Sequence, residues 1–203
     1  MFATLKRYRH VAAAAPLMLA LITTASAQAP YPNRNITLVL PFAAGSGTDT
    51  TTRLIGKELG VALGVSMVIE NKAGANGSIA ASYVARSAPD GYTLFVTTNT
   101  SHSANPYLLK NMTYDPIKDF TPIARTGDLP FMLVIHPDIP ANSVAELIAL
   151  AKKEPGKYSY ASGSSSAIVS GATFARLAGI DLLHVPYKSS PPALTDVIAG
   201  RVS

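Results

Sequence analysis

The sequence predicts an α/β fold with mostly parallel sheets, on three observations. Strand-forming runs alternate with helix-forming runs over short intervals, the pattern of βαβ units. Loops rich in glycine and serine lead from strand into helix. The second half of the chain repeats the plan of the first.

The first strand is Ile36 to Leu40, which runs into Pro41 and the small-residue loop Ala43-Ala44-Gly45-Ser46-Gly47. A helix is expected from about Thr48, with Leu54, Ile55, Leu59 and Ala62 on one face and Lys57 and Glu58 on the other. Ser66 to Asn71 reads as the second strand, and Lys72 to Gly77 as a second glycine loop opening a helix over Ser78 to Arg86. Pro89-Asp90-Gly91 is a turn before a third strand, Thr93 to Thr98. The polar segment Asn99 to Pro106 follows at the carboxyl edge of the same sheet, where open parallel sheets bind ligands.

Asn111 to Pro122 reads as a connection, with a domain boundary near Thr121 to Ile123. Strands are expected near Ile123 to Thr126 and, more strongly, at Phe131 to Ile135, closed by His136-Pro137. Ser143-Val144-Ala145-Glu146 is a capping box for a helix to Lys153. A strand at Tyr158 to Ala161 enters the loop Ser162-Gly163-Ser164-Ser165-Ser166, and a helix from about Ala167 to Ala178 follows. Leu182 to Val185 is the next strand, and Ala193 to Ile198 a short helix. The organisation expected is a leader over 1–27, a first lobe over 28–122 and a second lobe over 123–203.

The leader reading rests on Lys6, Arg7 and Arg9 ahead of the apolar run Val11 to Ile22, and on Ala25-Ser26-Ala27 as a cleavage site after which Gln28 would begin the mature chain. The apolar run is too short to span a membrane and is interrupted by Pro16. Export to the periplasm is the expected result. Cleavage removes three of the 17 basic residues and none of the 12 acidic ones, so 14 oppose 12 and the net charge falls from +5 to +2. No basic run with interleaved aromatics remains, which excludes nucleic acid as a partner. The sequence has no cysteine, hence no disulfide and no lipid carried on a cysteine.

A strand that empties through glycines into a helix N-terminus leaves backbone N–H groups aimed at one point, an anion pocket in outline. Such loops occur at Gly45 to Asp49 and at Ser162 to Ser166. Neither has the Glu or Gln that completes the box at Ser143, so their donors are expected to be left for a ligand or water.

The anion could be a nucleotide phosphate, a developing oxyanion or a small carboxylate. A dinucleotide is disfavoured, because Gly45-x-Gly47 lacks the third glycine, Thr50 standing in its place, although Glu70 closes the next strand. An exported serine-type hydrolase could recruit Ser46 or a serine of Ser162 to Ser166, with His102 or His184 as base. No G-x-S-x-G elbow surrounds these serines, which read more simply as hydrogen-bonding loop residues. Metal is not called for, since His102, His136 and His184 are far apart in sequence. Asp49, in a first helical turn, would brace the loop or meet a ligand ammonium. Tyr187 and Lys188 could offer a hydroxyl and a cation to a carboxylate.

The runs YPNRNITLVLPFAAGSGTDTTTRL, VIENKAGANGSIAA, APDGYTL, YDPIKDFTPIA, SVAELIALAKKEPGKYSYAS and HVPYKSSPPALTDVIAGRV, in that order, resemble the Bug-type solute-binding receptors of tripartite tricarboxylate transporters. The likeness runs from Tyr31 to Ser203. It implies a two-lobed, type II-like periplasmic binding protein, a monomer without cofactor or catalytic residues, that closes on a small carboxylate. The loaded receptor would deliver its cargo to a large and a small integral-membrane subunit.

By the same resemblance the pocket would be walled by Phe42, Ala43, Ala44, Gly45, Ser46, Gly47 and Asp49 on one side. Ser162, Gly163, Ser164, Ser165 and Ser166 would face them, with Thr100, His102 and Tyr187 contributing. The second loop is shorter than the commonest family version and lacks a histidine often found near the following helix, so ligand identity is not carried over. Family members also continue beyond this point. A parallel sheet without its later strands exposes edges and apolar faces, so the chain is expected to be a truncated product that folds poorly and binds weakly by itself.

Overall fold

The computed structural model describes residues 30–203, and among the described residues every helix and strand lies in the compact unit formed by residues 34–203. The expected leader over 1–27 lies outside the described residues. The order is β1 (Ile36–Leu40), α1 (Gly47–Leu63), β2 (Met67–Asn71), α2 (Ser78–Ala85), β3 (Thr93–Phe95), α3 (Asn105–Leu108), α4 (Val144–Lys153), β4 (Ser159–Ser162), α5 (Ser165–Ala178), β5 (Leu183–Pro186) and α6 (Ser190–Ile198).

Two parallel sheets result, ordered β2-β1-β3 and β4-β5. β1 is central because its apolar residues can be covered on both faces. Ile36, Leu38 and Leu40 are buried, with Val65, Met67, Ile69, Tyr92, Leu94 and Val96 packed against them. Register pairs Leu40 with Asn71 and Val39 with Phe95, so the carboxyl ends of all three strands open at one edge. In the second sheet Ser162 pairs with Pro186, which brings the loops after β4 and β5 side by side.

The buried face of α1 differs from the expected one. Leu54, Leu59 and Ala62 are exposed, while Thr48, Asp49, Thr52 and Gly56 are buried. The cause is close approach. A Cβ at Gly56 would stand 3.4 Å from Leu38 Cδ1 and from Met67 Cβ, so small residues alone let the helix lie on the sheet.

The expected strands over 123–126 and 131–135 do not form. A strand needs a neighbour for its ladder, and among the described residues no strand pairs with this run. Phe131, Met132, Leu133 and Val134 are exposed, and the His136 N–H just beyond them donates to the Ser203 carbonyl at 2.9 Å. β3 is three residues long, although the Val96 N–H still donates to the Val39 carbonyl at 2.9 Å. The polar segment after it is helical, a π-type turn over Thr100–Ala104 leading into α3.

α4 has the bounds the capping box predicts. The Ser143 hydroxyl accepts from the Glu146 N–H at 3.2 Å, and the Glu146 carboxylate accepts from the Asn142 N–H at 2.7 Å.

Candidate functional site

The first wall is the loop from Phe42 to Asp49. Ser46 is the N-cap of α1, its hydroxyl accepting from the Asp49 N–H at 3.2 Å. In the same way the Ser164 hydroxyl caps α5 by accepting from the Ala167 N–H at 3.2 Å. The third N–H of each helix is therefore satisfied from within, contrary to the expectation that all are left open. The first two, of Gly47 and Thr48 in α1 and of Ser165 and Ser166 in α5, meet no acceptor among the described residues.

Asp49 is 2 % exposed and braces this loop. Its Oδ2 accepts from the Gly45 N–H at 2.9 Å and from Arg53 Nε at 3.0 Å, and its Oδ1 from Asn71 Nδ2 at 3.0 Å. The same Asn71 amide donates to the Phe42 carbonyl at 2.9 Å. The hydrogen bond from Arg53, helped by Gly45 and Asn71, outweighs burial and holds the carboxyl at about 2. Held by Gly45 of the loop, Arg53 of α1 and Asn71 of β2, the carboxylate ties the loop to both elements and fixes its shape. Ala44, Gly45 and Gly47 stay exposed, and the Leu129 side chain lies 3.7 Å from where a Gly47 Cβ would be.

The serine loop meets the segment after β3 directly. The Ser165 hydroxyl donates to Asn105 Oδ1 at 2.7 Å, and the Ser166 hydroxyl to Asn99 Oδ1 at 2.9 Å, with Thr100 Oγ1 3.0 Å from it. Asn105 is wholly buried. Its amide donates to the Asn76 carbonyl at 2.9 Å and to the Tyr114 hydroxyl at 3.1 Å, and that hydroxyl donates to the Ser101 carbonyl at 2.7 Å. The start of α5 is thereby tied to the carboxyl edge of the first sheet.

His102 stands apart from this polar set. Its ring makes an edge contact with Phe120 at 5.1 Å between centroids and lies 6.0 Å from Phe95, and burial lowers its pKa. The Tyr187 N–H donates to the Ser162 carbonyl at 2.8 Å, while its hydroxyl is committed to Asp196 at 2.5 Å. Ser162 Oγ is 2.6 Å from His184 Nε2, and His184 stacks on Tyr160. Among the described residues no carboxylate is hydrogen-bonded to His184, so the pair lacks the orienting third member of a triad.

Asn71, Asn99, Asn105 and Tyr114 complete the site without having been singled out in the sequence. Asn105 lies in the polar stretch at the ligand-binding edge, but its burial is a tertiary property. An open cleft of about 570 Å³ lies elsewhere, lined by His136, Lys157, Tyr158 and Val202 among others and by none of the expected site residues. Among the described residues no helix is long and apolar enough to cross a membrane.

Parallel sheets that carry capped helix N-termini at their carboxyl edges fit the class of periplasmic binding proteins, and a solved chain sharing this fold, BugD, is described as one. Residues 51–203 match the model of the tripartite tricarboxylate transporter family receptor, and the chain belongs to that family. A Rhodopseudomonas palustris protein solved with adipate is 40 % identical, with TM-score 0.81, over 85 % of this chain and 58 % of that one. MatC from the same organism, with bound malate, is 35 % identical, with TM-score 0.78, over 85 % and 59 %. The periplasmic binding protein BugD is 34 % identical, with TM-score 0.73, over 85 % and 58 %. The chain spans 60 % and 52 % of the length of two curated relatives it matches at 33 % and 34 % identity.

Proposed function

We propose that this chain is a receptor for a small carboxylate, held between the N-termini of α1 and α5, and that it catalyses nothing. The observation that carries the reading is the pair of open donors at each helix start, Gly47 and Thr48 on one side and Ser165 and Ser166 on the other. Backbone N–H groups at a helix N-terminus favour a carboxylate without any cationic side chain. The adipate and malate bound by two solved relatives point to the same ligand class.

In this reading residues 28–122 and 123–203 act as two lobes that close on the ligand. Phe42 to Gly47 and Ser162 to Ser166 form the walls, and Asp49 sets the shape of the first. Thr100 reports closure through Ser166, and His102, packed against Phe120 and Phe95, acts on selectivity from the same segment as Thr100. Tyr187 contributes through its backbone. Residues 1–27 direct export to the periplasm, and the loaded monomer hands its cargo to the large and small membrane subunits of a tripartite transporter.

A thermal-shift screen against mono-, di- and tricarboxylates and acidic amino acids, run on this chain and on a full-length relative, tests the reading. A saturable rise in Tm with a dicarboxylate, without turnover of a generic ester, is the expected result. Ester hydrolysis lost on substitution of Ser162 would replace the receptor by an enzyme.

A further inference from the structure

The start of α6 differs from the starts of α1 and α5 in one respect that bears on the ligand. Ser189 occupies the N-cap position, but its hydroxyl makes no capping bond. The sequence explains why. An N-cap hydroxyl accepts from the N–H of the second or third helical residue, and after Ser190 those residues are Pro191 and Pro192, which have none. Ser189 is 1 % exposed, and its Oγ has no hydrogen-bond partner. A buried hydroxyl left in this state is unfavourable and calls for a partner.

Its position shows which partner. β4 and β5 are adjacent and parallel, and the Tyr187 N–H donating to the Ser162 carbonyl extends their pairing into the loops. A Cβ at Gly163 would overlap the backbone of Ser189 and Ser190, so the serine loop lies directly on the beginning of α6. The start of α6, which carries this hydroxyl, thus adjoins the turn that presents Ser165 and Ser166. The N–H of Ser190, first in α6, likewise has no acceptor among the described residues.

We propose that the Ser189 hydroxyl, together with the N–H of Ser190, donates hydrogen bonds to the carboxylate ligand, so that the second wall consists of two helix starts, α5 and α6. This rests on the receptor reading above. A carboxylate oxygen only accepts, which suits a hydroxyl whose usual role as acceptor is closed to it by the two prolines. Thr100, Ser101, Ser165 and Ser189 are all buried in this arrangement, so the ligand reaches Ser189 when the contacts of Ser165 and Ser166 with Asn105, Asn99 and Thr100 part.

Calorimetric titration of the full chain with adipate and with malate, compared with Ser189→Ala and Ser189→Thr, tests this, with ligand-free Tm recorded for each. Ser189→Ala is expected to weaken binding about tenfold or more, as loss of a hydrogen bond to a charged group does. Its ligand-free Tm should stay the same or rise, because the hydroxyl removed has no partner to lose. Ser189→Thr should retain most of the affinity. A purely structural serine would give the opposite pattern, a lower Tm with unchanged affinity. Unchanged affinity in Ser189→Ala, with wild type binding normally, overturns the proposal and leaves the receptor reading standing. A wild-type chain that binds neither these two acids nor any other carboxylate of the thermal-shift screen overturns both.

Discussion

The Ser165 hydroxyl donates to the Asn105 side-chain carbonyl across 2.7 Å, and sixty residues of sequence separate the two. The orientation of Asn105 is not free. Both hydrogens of its amide are taken, by the Asn76 carbonyl and the Tyr114 hydroxyl, so only its oxygen can face α5. A saturated buried network of this kind favours this arrangement, and parting it costs free energy that a bound ligand must offset.

Asn105→Ala leaves the Ser165 hydroxyl, the Tyr114 hydroxyl and the Asn76 carbonyl short of a partner at once. A loss of about 2–3 kcal/mol is expected, seen in urea unfolding, against about 1 kcal/mol for Ser165→Ala. The double variant should cost less than the sum of the two. Additive losses would show that the two groups do not interact in solution.

Asp49 makes stability depend on acid. Its folded pKa, about 2, lies below the ordinary 3.8, so the charged form is favoured by the fold. The stabilisation is complete above about pH 4 and disappears as pH falls toward 2. With half-exposed Arg53 as its main partner, the contribution is of order 1–2 kcal/mol. Asp49→Asn should lower stability at pH 7 and flatten the curve between pH 4 and 2. A variant whose stability still falls steeply across that window would assign the acid sensitivity to another carboxylate.

His102 gives a dependence at higher pH. Burial among Phe95 and Phe120 lowers its pKa from 6.5, so the folded chain resists the proton that the unfolded chain accepts. Stability conferred by the neutral ring is present above pH 6.5 and declines as pH falls through the lowered value. His102→Phe should remove that decline while leaving Tm at pH 8 within a few degrees. An unchanged pH profile would place His102 outside the aromatic cluster.

Gly77 lies at φ +82, and a Cβ there would approach Pro41 Cβ to 2.9 Å and Ser101 Oγ to 3.0 Å. Backbone strain and overpacking add, and Gly77→Ala should cost at least about 2 kcal/mol. A midpoint of chemical unfolding equal to wild type would contradict the close approach.

The parts legible in the sequence are those decided locally. Strand runs such as Ile36 to Leu40 and the box at Ser143 to Glu146 declare themselves within a few residues. The parts that were not legible depend on neighbours. The inward face of α1 is set by Gly56 against Leu38 and Met67, which shifts it away from Leu54 while Lys57 and Glu58 stay exposed as expected. Phe131 to Ile135 has the composition of a strand, but pairing decides whether one forms. At the site, the glycine and serine loops were visible as motifs. Asn71, Asn105 and the orphaned Ser189 were not, since burial and hydrogen-bond saturation are properties of packing.

The central claim is that the first-turn N–H groups of α1 and α5 grip a carboxylate, and amide chemical shifts during titration with malate measure this most directly. The account predicts that the amides of Gly47, Thr48, Ser165 and Ser166 shift together and saturate along one binding curve. Saturable binding that leaves these four amides unmoved, or shifts confined to the cleft beside His136 and Tyr158, would contradict it.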